Sequence, residues 1–215
     1  MKRVSLLLML FILSKGVFAQ KTYKDKYFGI SINEPKNWIV KDNSAFIDSL
    51  IGDKVNDSLL AKEIEVNNGS LLLATFNKYD EKKSGFIPII QINVLNNPSV
   101  LFNDFEVDMK ASANLYKSLY QDFSFITQPQ SVTVNGKKSI YFSGKFTLTG
   151  TRTFQVNIGG NNYEQNQTLK YLIQTKVYAI PYGNYFFQLS FTDNLDVKDD
   201  EKLFEDLLTS IRIGK

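Results

Sequence analysis

The sequence predicts an α+β fold, a predominantly antiparallel twisted sheet covered by helices as an α/β/α sandwich, with one long β-hairpin projecting from it. Three observations carry this expectation. Apolar residues alternate with period two in many short stretches, Asn, Gly and Pro turns join those stretches as hairpins, and three segments place apolar residues at intervals of three and four. A doubly wound sheet would need strict alternation of strand and helix, whereas the second half of the chain is nearly all strand. With 43% apolar and 22% charged residues among 215, the chain has the composition of an ordinary globular domain.

The elements follow in order. Lys2 and Arg3 precede an unbroken apolar run from Leu6 to Leu13, and Val17 and Ala19 stand at the minus-three and minus-one positions of a cut before Gln20, the pattern of a secretory signal peptide over residues 1–19. That run is far shorter than the roughly 20 residues that cross a bilayer. A single domain is expected over 20–215, since neither an internal repeat nor a low-complexity linker divides it. Tyr27 to Asn33 alternates as a strand, Glu34-Pro35-Lys36-Asn37 turns the chain, and Trp38-Ile39-Val40 is expected to pair back as an opening hairpin. Phe46 to Val66 reads as helix, broken near Gly52 and Asn56. Ser70 to Asn77 is a buried strand, and Pro88 opens another through Ile90, Ile92 and Val94.

The longest helix follows. Asn103 and Glu106 resemble a capping box, and Phe102, Phe105, Met109, Ala113, Tyr116 and Phe123 keep helical spacing for about five turns. Beyond Pro129, Asn135-Gly136 is a two-residue hairpin turn, and Gly144 interrupts the returning apolar row at a bulge or a close approach of other atoms. Phe154, Val156 and Ile158 resume the alternation up to the turn Gly159-Gly160, with Tyr171, Ile173 and Val177 on the way back. The outer half of this ribbon, Thr149 to Thr168, is expected to project beyond the core. After Pro181-Tyr182-Gly183-Asn184 come the strand Tyr185 to Phe191 and a last helix through Leu203, Phe204, Leu207, Leu208 and Ile211. Asp199, Asp200 and Glu201 stand at its positive end.

Composition narrows the chemistry. The sequence contains neither His nor Cys, so Ser-His-Asp and Cys-His nucleophiles, His or Cys metal sites, haem and iron-sulfur ligation through those residues, and disulfides are all excluded. Of the 25 Lys and Arg, three lie in the leader (Lys2, Arg3, Lys15), which leaves the mature chain with as many bases as its 22 acids. A nucleic-acid binder would show a basic surplus or stripe, and neither is present.

Three stretches together resemble the PsbP, Mog1 and DcrB-like superfamily: the opening Phe28-Gly29-Ile30-Ser31-Ile32-Asn33-Glu34-Pro35-Lys36-Asn37-Trp38, the aromatic strand Tyr185-Phe186-Phe187-Gln188-Leu189-Ser190-Phe191, and the closing Leu207-Leu208-Thr209-Ser210-Ile211-Arg212-Ile213. The resemblance implies an α/β/α sandwich used as a binding scaffold, and it brings no catalytic signature to any residue. The ribbon exceeds that family's usual hairpin.

Candidate sites follow from the residues themselves. Asp193, Asn194, Asp196, Asp199, Asp200 and Glu201 form the densest oxygen cluster, with Asp193, Asp196 and Asp199 the residues a hard cation would use, but their spacing departs from an EF-hand. A solvated turn ahead of a helix explains the same residues. Asp48, Asp53 and Asp57 suit a polar helix face better than a paired acid and base. Tyr27, Trp38, Tyr79, Tyr171 and Tyr185 suggest an aromatic platform or, more simply, core residues. Phe105, Met109 and Tyr116 are the side chains that would line a cavity for a small apolar ligand. Sequons at Asn56, Asn68 and Asn166 matter only in a eukaryotic secretory host. The ribbon tip carries the binding expectation through Phe154, Tyr163, Asn161 and Asn162, because long elements that leave a core commonly meet partners. The reading is an exported, non-enzymatic module that contacts a protein or envelope component and needs no cofactor. A small apolar-ligand carrier and a carboxylate-based hydrolase stand as alternatives.

Overall fold

The computed structural model describes residues 20–51, 57–67, 69–80, 85–196 and 200–214. The proposed leader lies outside them, as do Asp53, Asn56, Asn68 and Asp199. The strands are β1 (Thr22–Lys24), β2 (Ile30–Asn33), β3 (Ile39–Asp42), β4 (Ser70–Asn77), β5 (Ile89–Asn96), β6 (Ser124–Val134), β7 (Lys137–Ile158), β8 (Asn161–Tyr182), β9 (Tyr185–Asn194) and β10 (Arg212–Ile213). The helices are α1 (Ser44–Ile51), α2 (Asp57–Val66), α3 (Phe102–Leu119) and α4 (Glu201–Ser210). Seven strands form one sheet in the order β3-β4-β5-β9-β8-β7-β6, and β1, β2 and β10 form a second small sheet. Every pairing in both is antiparallel. The α+β expectation holds.

Alternation along the strands feeds two separate cores, because neighbouring residues point to opposite faces of a sheet. Phe187, Leu189, Phe191 and Ile180 join the larger core with Ile90, Ile92, Val94, Ile30, Ile32, Ile47, Leu60, Ile64, Phe204 and Leu207. Phe186 and Ala179, one residue away in sequence, pack instead against Phe105 of α3, and Ala113 of α3 covers Phe142 and Val177. One face is therefore covered by α3, the other by α1, α2, α4 and the small sheet.

Three local expectations are corrected. β2 does not return to β3 as a hairpin: it pairs with β1 and β10, while β3 pairs with β4. Asn37 takes a left-handed conformation, φ 66°, and the turn redirects the chain from one sheet into the other instead of closing a hairpin. The capping box on α3 is absent, because the helix starts at Phe102 with Leu101 at its N-cap and no side-chain cap bond. Glu106 pairs forward with Lys110 at 2.7 Å instead. Phe123 is not helical: α3 stops at Leu119, and the Phe123 ring lies over Gly144, where a Cβ would stand 2.3 Å from ring carbon Cζ. This is the close approach that Gly144 signals, and the β6–β7 register shifts beside it, between Phe125 and Thr127 and again between Thr127 and Gln130.

Candidate functional site: the ribbon and the cleft beside it

β7 and β8 stay paired from Ile140 opposite Ala179 to Ile158 opposite Asn161, where Gly159 and Gly160 turn the chain with φ of 62° and 86°. Two successive positive φ values define the tight turn that matches strand twist, and glycine adopts them without steric cost. Neighbouring strands give out long before that turn. β6 ends against β7 at Lys145, and β9 ends against β8 at Ile173. The last eight rungs, Thr151 opposite Thr168 to Ile158 opposite Asn161, extend about 27 Å as an isolated two-stranded ribbon at the usual rise per residue. All of Asn161 to Thr168 is exposed.

The ribbon has two unlike faces. Phe154 is 36% exposed and Tyr163 53% exposed, and strand alternation puts them on the face that carries Leu148, Leu169 and Tyr171. The other face is a ladder of Thr147, Thr149, Thr151, Thr153, Gln155 and Asn157 against Asn162, Glu164, Asn166, Thr168 and Lys170. Thr153 Oγ1 donates to Asn166 Oδ1 at 2.7 Å, and Asn157 Nδ2 donates to Asn162 Oδ1 at 2.9 Å. The expected contact residues Phe154, Tyr163, Asn161 and Asn162 thus all lie on the projecting part. One face is thus wholly polar, while the other sets Phe154 and Tyr163 among Arg152, Gln165 and Gln167.

A cleft opens where the ribbon leaves the sheet. About 200 Å³ is enclosed by residues that include Asp193, Lys176, Glu201, Phe191 and Phe204, and it runs on into about 510 Å³ beside α4 through the shared Lys176, Glu201 and Phe204. Asp193 and Asp200 are only 8% and 6% exposed, which corrects the reading of these acids as a solvated turn. Lys78, brought in from the end of β4, donates to Asp200 Oδ2 at 2.7 Å. Asp200 occupies the N-cap position of α4 without a cap bond, since its carboxylate is taken by that lysine. Glu201 pairs with Lys176 at 3.1 Å.

Burial pushes the Asp193 carboxyl up to about 6, and the neighbouring Asp200 adds to the rise, against a lowering hydrogen bond from the Asn194 amide and the charge of Lys78. Glu201 in the cleft and Asp200 next to it in sequence are each committed to a lysine. Asp196 is exposed, Asp199 lies outside the described residues, and no cluster of three acids able to hold a metal ion occurs among the described residues. Only the oxygen cluster from Asp193 to Glu201 was visible in sequence. Lys78 is far away along the chain and has no local signal linking it to them.

The remaining candidates disperse. Asp48 pairs with Lys26 at 2.8 Å and accepts a hydrogen bond from the Tyr27 hydroxyl, while Asp57 opens α2. Tyr27 is buried, Trp38 packs against the larger core, Tyr171 tilts against Phe86 at 6.4 Å, and Tyr185 meets Phe28 edge-on at 5.3 Å. These rings form no shared platform. Phe105 and Tyr116 fill the interface under α3, in edge contact with Phe186 at 5.3 Å and Phe142 at 5.2 Å. The rings of the carrier reading thus occupy the space a ligand would need.

No family model matches the chain, and no curated protein matches it. Solved structures similar to it include the cyanobacterial PsbP (CyanoP) of Synechocystis sp., at 13% identity over 94% of this chain and 96% of that one, with a TM-score of 0.48. A crystal structure from Bacteroides thetaiotaomicron is 14% identical over 91% of this chain and 49% of that one, with a TM-score of 0.44. LpqN, described as involved in cell envelope biogenesis of Mycobacterium tuberculosis, is 10% identical over 93% of this chain and 88% of that one, with a TM-score of 0.44. The first bears the name of the family that the opening strand, aromatic strand and closing helix resemble. No described helix is long and apolar enough to cross a membrane.

Proposed function

We propose that this chain is an exported, non-enzymatic binding module that meets a protein or envelope component through its projecting ribbon. The observation that carries the reading is the ribbon's outer half, eight rungs beyond Gly150 that no other part of the described chain covers. An isolated two-stranded hairpin is marginal in water. Phe154 and Tyr163 on one face, with an Asn, Gln and Thr ladder on the other, supply apolar area and main-chain-like hydrogen bonding for a partner. The lack of imidazole and thiol, and the pairing of Asp200 and Glu201 with lysines, argue against bond-making chemistry. Export rests on the leader signature, and amino-terminal sequencing of the exported protein should begin at Gln20.

The test is capture from the native envelope by tagged chain 20–215 and by a version in which residues 151–168 are replaced by an Asn-Gly turn between the paired Gly150 and Leu169. The shortened protein should keep its circular dichroism and lose the captured component. Equal capture by both would defeat the proposal. One observation favours a second reading, a carboxylate-based hydrolase: the buried Asp193, raised to about 6, borders a cleft. Hydrolytic turnover that disappears in a folded Asp193→Asn variant would establish it.

A further inference from the structure

Among the described residues, no strand lies beside the outer edge of β8 from Tyr163 to Tyr171. β9 stops at Asn194 opposite Ile173, and the Leu195 amide bonds the Leu172 carbonyl at 2.8 Å just beyond. In an antiparallel ladder, residues alternate between those that aim both backbone groups at the partner strand and those that aim both away. Ile158 and Asn161 flank a two-residue turn and so bond each other, which leaves Glu164, Asn166, Thr168 and Lys170 with their amides and carbonyls directed outward. The outward Leu172 carbonyl and, on the β7 side, the Thr147 amide bonded to the Gln121 carbonyl fit the same parity.

The terminal strands of the main sheet, β6 and β3, are protected as edges and this stretch is not. β6 carries Pro129 and two register shifts, and β3 is four residues long, both recognised ways of blocking edge pairing. Tyr163 to Tyr171 contains neither Pro nor Gly and pairs with β7 without a register shift.

That segment, Tyr163-Glu164-Gln165-Asn166-Gln167-Thr168-Leu169-Lys170-Tyr171, is complementary to itself when reversed about Gln167. Glu164 then falls opposite Lys170, Tyr163 opposite Tyr171, and Asn166 opposite Thr168. Each pair shares a face, and the outward residues meet outward residues. Neither Glu164 nor Lys170 forms an ion pair among the described residues. The exposed stretch of β7 offers no such match, since Arg152 is its single charge.

We propose that β8 pairs antiparallel with β8 of a second copy of this chain, about a two-fold axis at Gln167, joining two ribbons into one four-stranded sheet. This rests on the reading of the ribbon as a contact element and names its occupant. The match is isologous, as closed dimers require. It adds on the order of eight backbone hydrogen bonds from the four outward residues of each copy and two Glu–Lys pairs per dimer.

Sedimentation of chain 20–215 should show a concentration-dependent dimer. Glu164→Lys and Lys170→Glu, each placing like charges opposite one another twice, should weaken it about tenfold, and the double exchange should restore it. Because the chain has no cysteine, Gln167→Cys gives a second readout. A residue facing its own copy across a non-hydrogen-bonded pair sits about 4.5 Å from it, within disulfide range, so oxidation should cross-link this variant. Gln165→Cys, about 13 Å from its copy in this register, should stay uncross-linked. A chain monomeric to about 100 μM, equal cross-linking from both positions, or a double exchange that fails to restore the dimer would overturn the pairing. A monomer whose ribbon still captures an envelope component overturns the dimer and leaves the docking role standing. A cross-linked dimer whose envelope capture survives loss of the ribbon supports the pairing and overturns the docking role.

Discussion

β7 and β8 each run 22 residues, and the inner and outer halves of this one hairpin live in different surroundings. Near Phe142 and Val177 the pair lies between β6 and β9 with α3 above it, whereas past Gly150 the same ladder stands in water on both faces. Backbone hydrogen bonding is the same along its whole length. What differs is side-chain burial, so the comparison separates what holds a strand in a domain from what merely makes it a strand.

Deep truncation of the inner half should have the largest effect. Phe142 is buried against Tyr116 and Phe125, and Phe142→Ala should cost about 3–5 kcal/mol in denaturant unfolding. A smaller loss would mean that the inner half is no better anchored than the tip.

Asp193 marks the seam between the halves, opposite Gln174 one rung inside the end of β9. Its carboxyl is raised from 3.8 to about 6, so the folded state holds a proton that the unfolded chain releases first. The associated stability is fully present below about pH 4 and is lost as pH rises through about 6, a swing of up to about 3 kcal/mol. Asp193→Asn removes the titration. The variant should therefore gain on the parent in thermal unfolding as pH climbs from 4 to 7, and a constant difference across that range would refute the account.

Two glycines of β7 sharpen the contrast further. An alanine Cβ at Gly144 would collide with the Phe123 ring at 2.3 and 2.5 Å, and that ring is hemmed in by Tyr116, Phe125 and Phe146. Gly144→Ala should cost about 1–3 kcal/mol, partly recovered when combined with Phe123→Ala. At Gly150 the nearest atom is Tyr171 Cε2 at 4.0 Å, so Gly150→Ala should be neutral or stabilise by about 0.5–1 kcal/mol through lower chain entropy. Equal responses at the two positions would dissolve the distinction.

The tip should respond least: Phe154→Ala is expected to shift stability by no more than about 0.5 kcal/mol. Its amide protons should exchange far faster than those around Phe142, because few buried contacts oppose local opening.

Much of this was legible in sequence because it is local. Period-two stretches, Asn135-Gly136 and Gly159-Gly160 specify strands and tight turns from within a few residues, and Gly144 signalled a close approach by interrupting an apolar row. The path from β2 to β3 was not, since a turn sequence states that the chain reverses but not which sheet receives it. Phe123 kept helical spacing with α3 by coincidence, and only the sheet beneath shows that its ring is needed elsewhere. In the site, which residues share a face of the ribbon follows from alternation, whereas burial of Asp193 and Asp200 depends on Lys78 and α4 arriving from distant segments.

Asn135 shows how such distant segments are tied, since its side-chain amide donates to the carbonyls of Leu208, Thr209 and Ile211 at the end of α4. Just past that end, Arg212 lies opposite Ser31 and Ile213 opposite Ile30, while the Gly214 amide reaches the Gly29 carbonyl at 3.1 Å. β2 cannot acquire this neighbour until synthesis has passed Ile213, and contacts so remote in sequence close slowly. A nascent polypeptide built this way stays unlatched along β2 until the segment Arg212–Ile213 has left the ribosome.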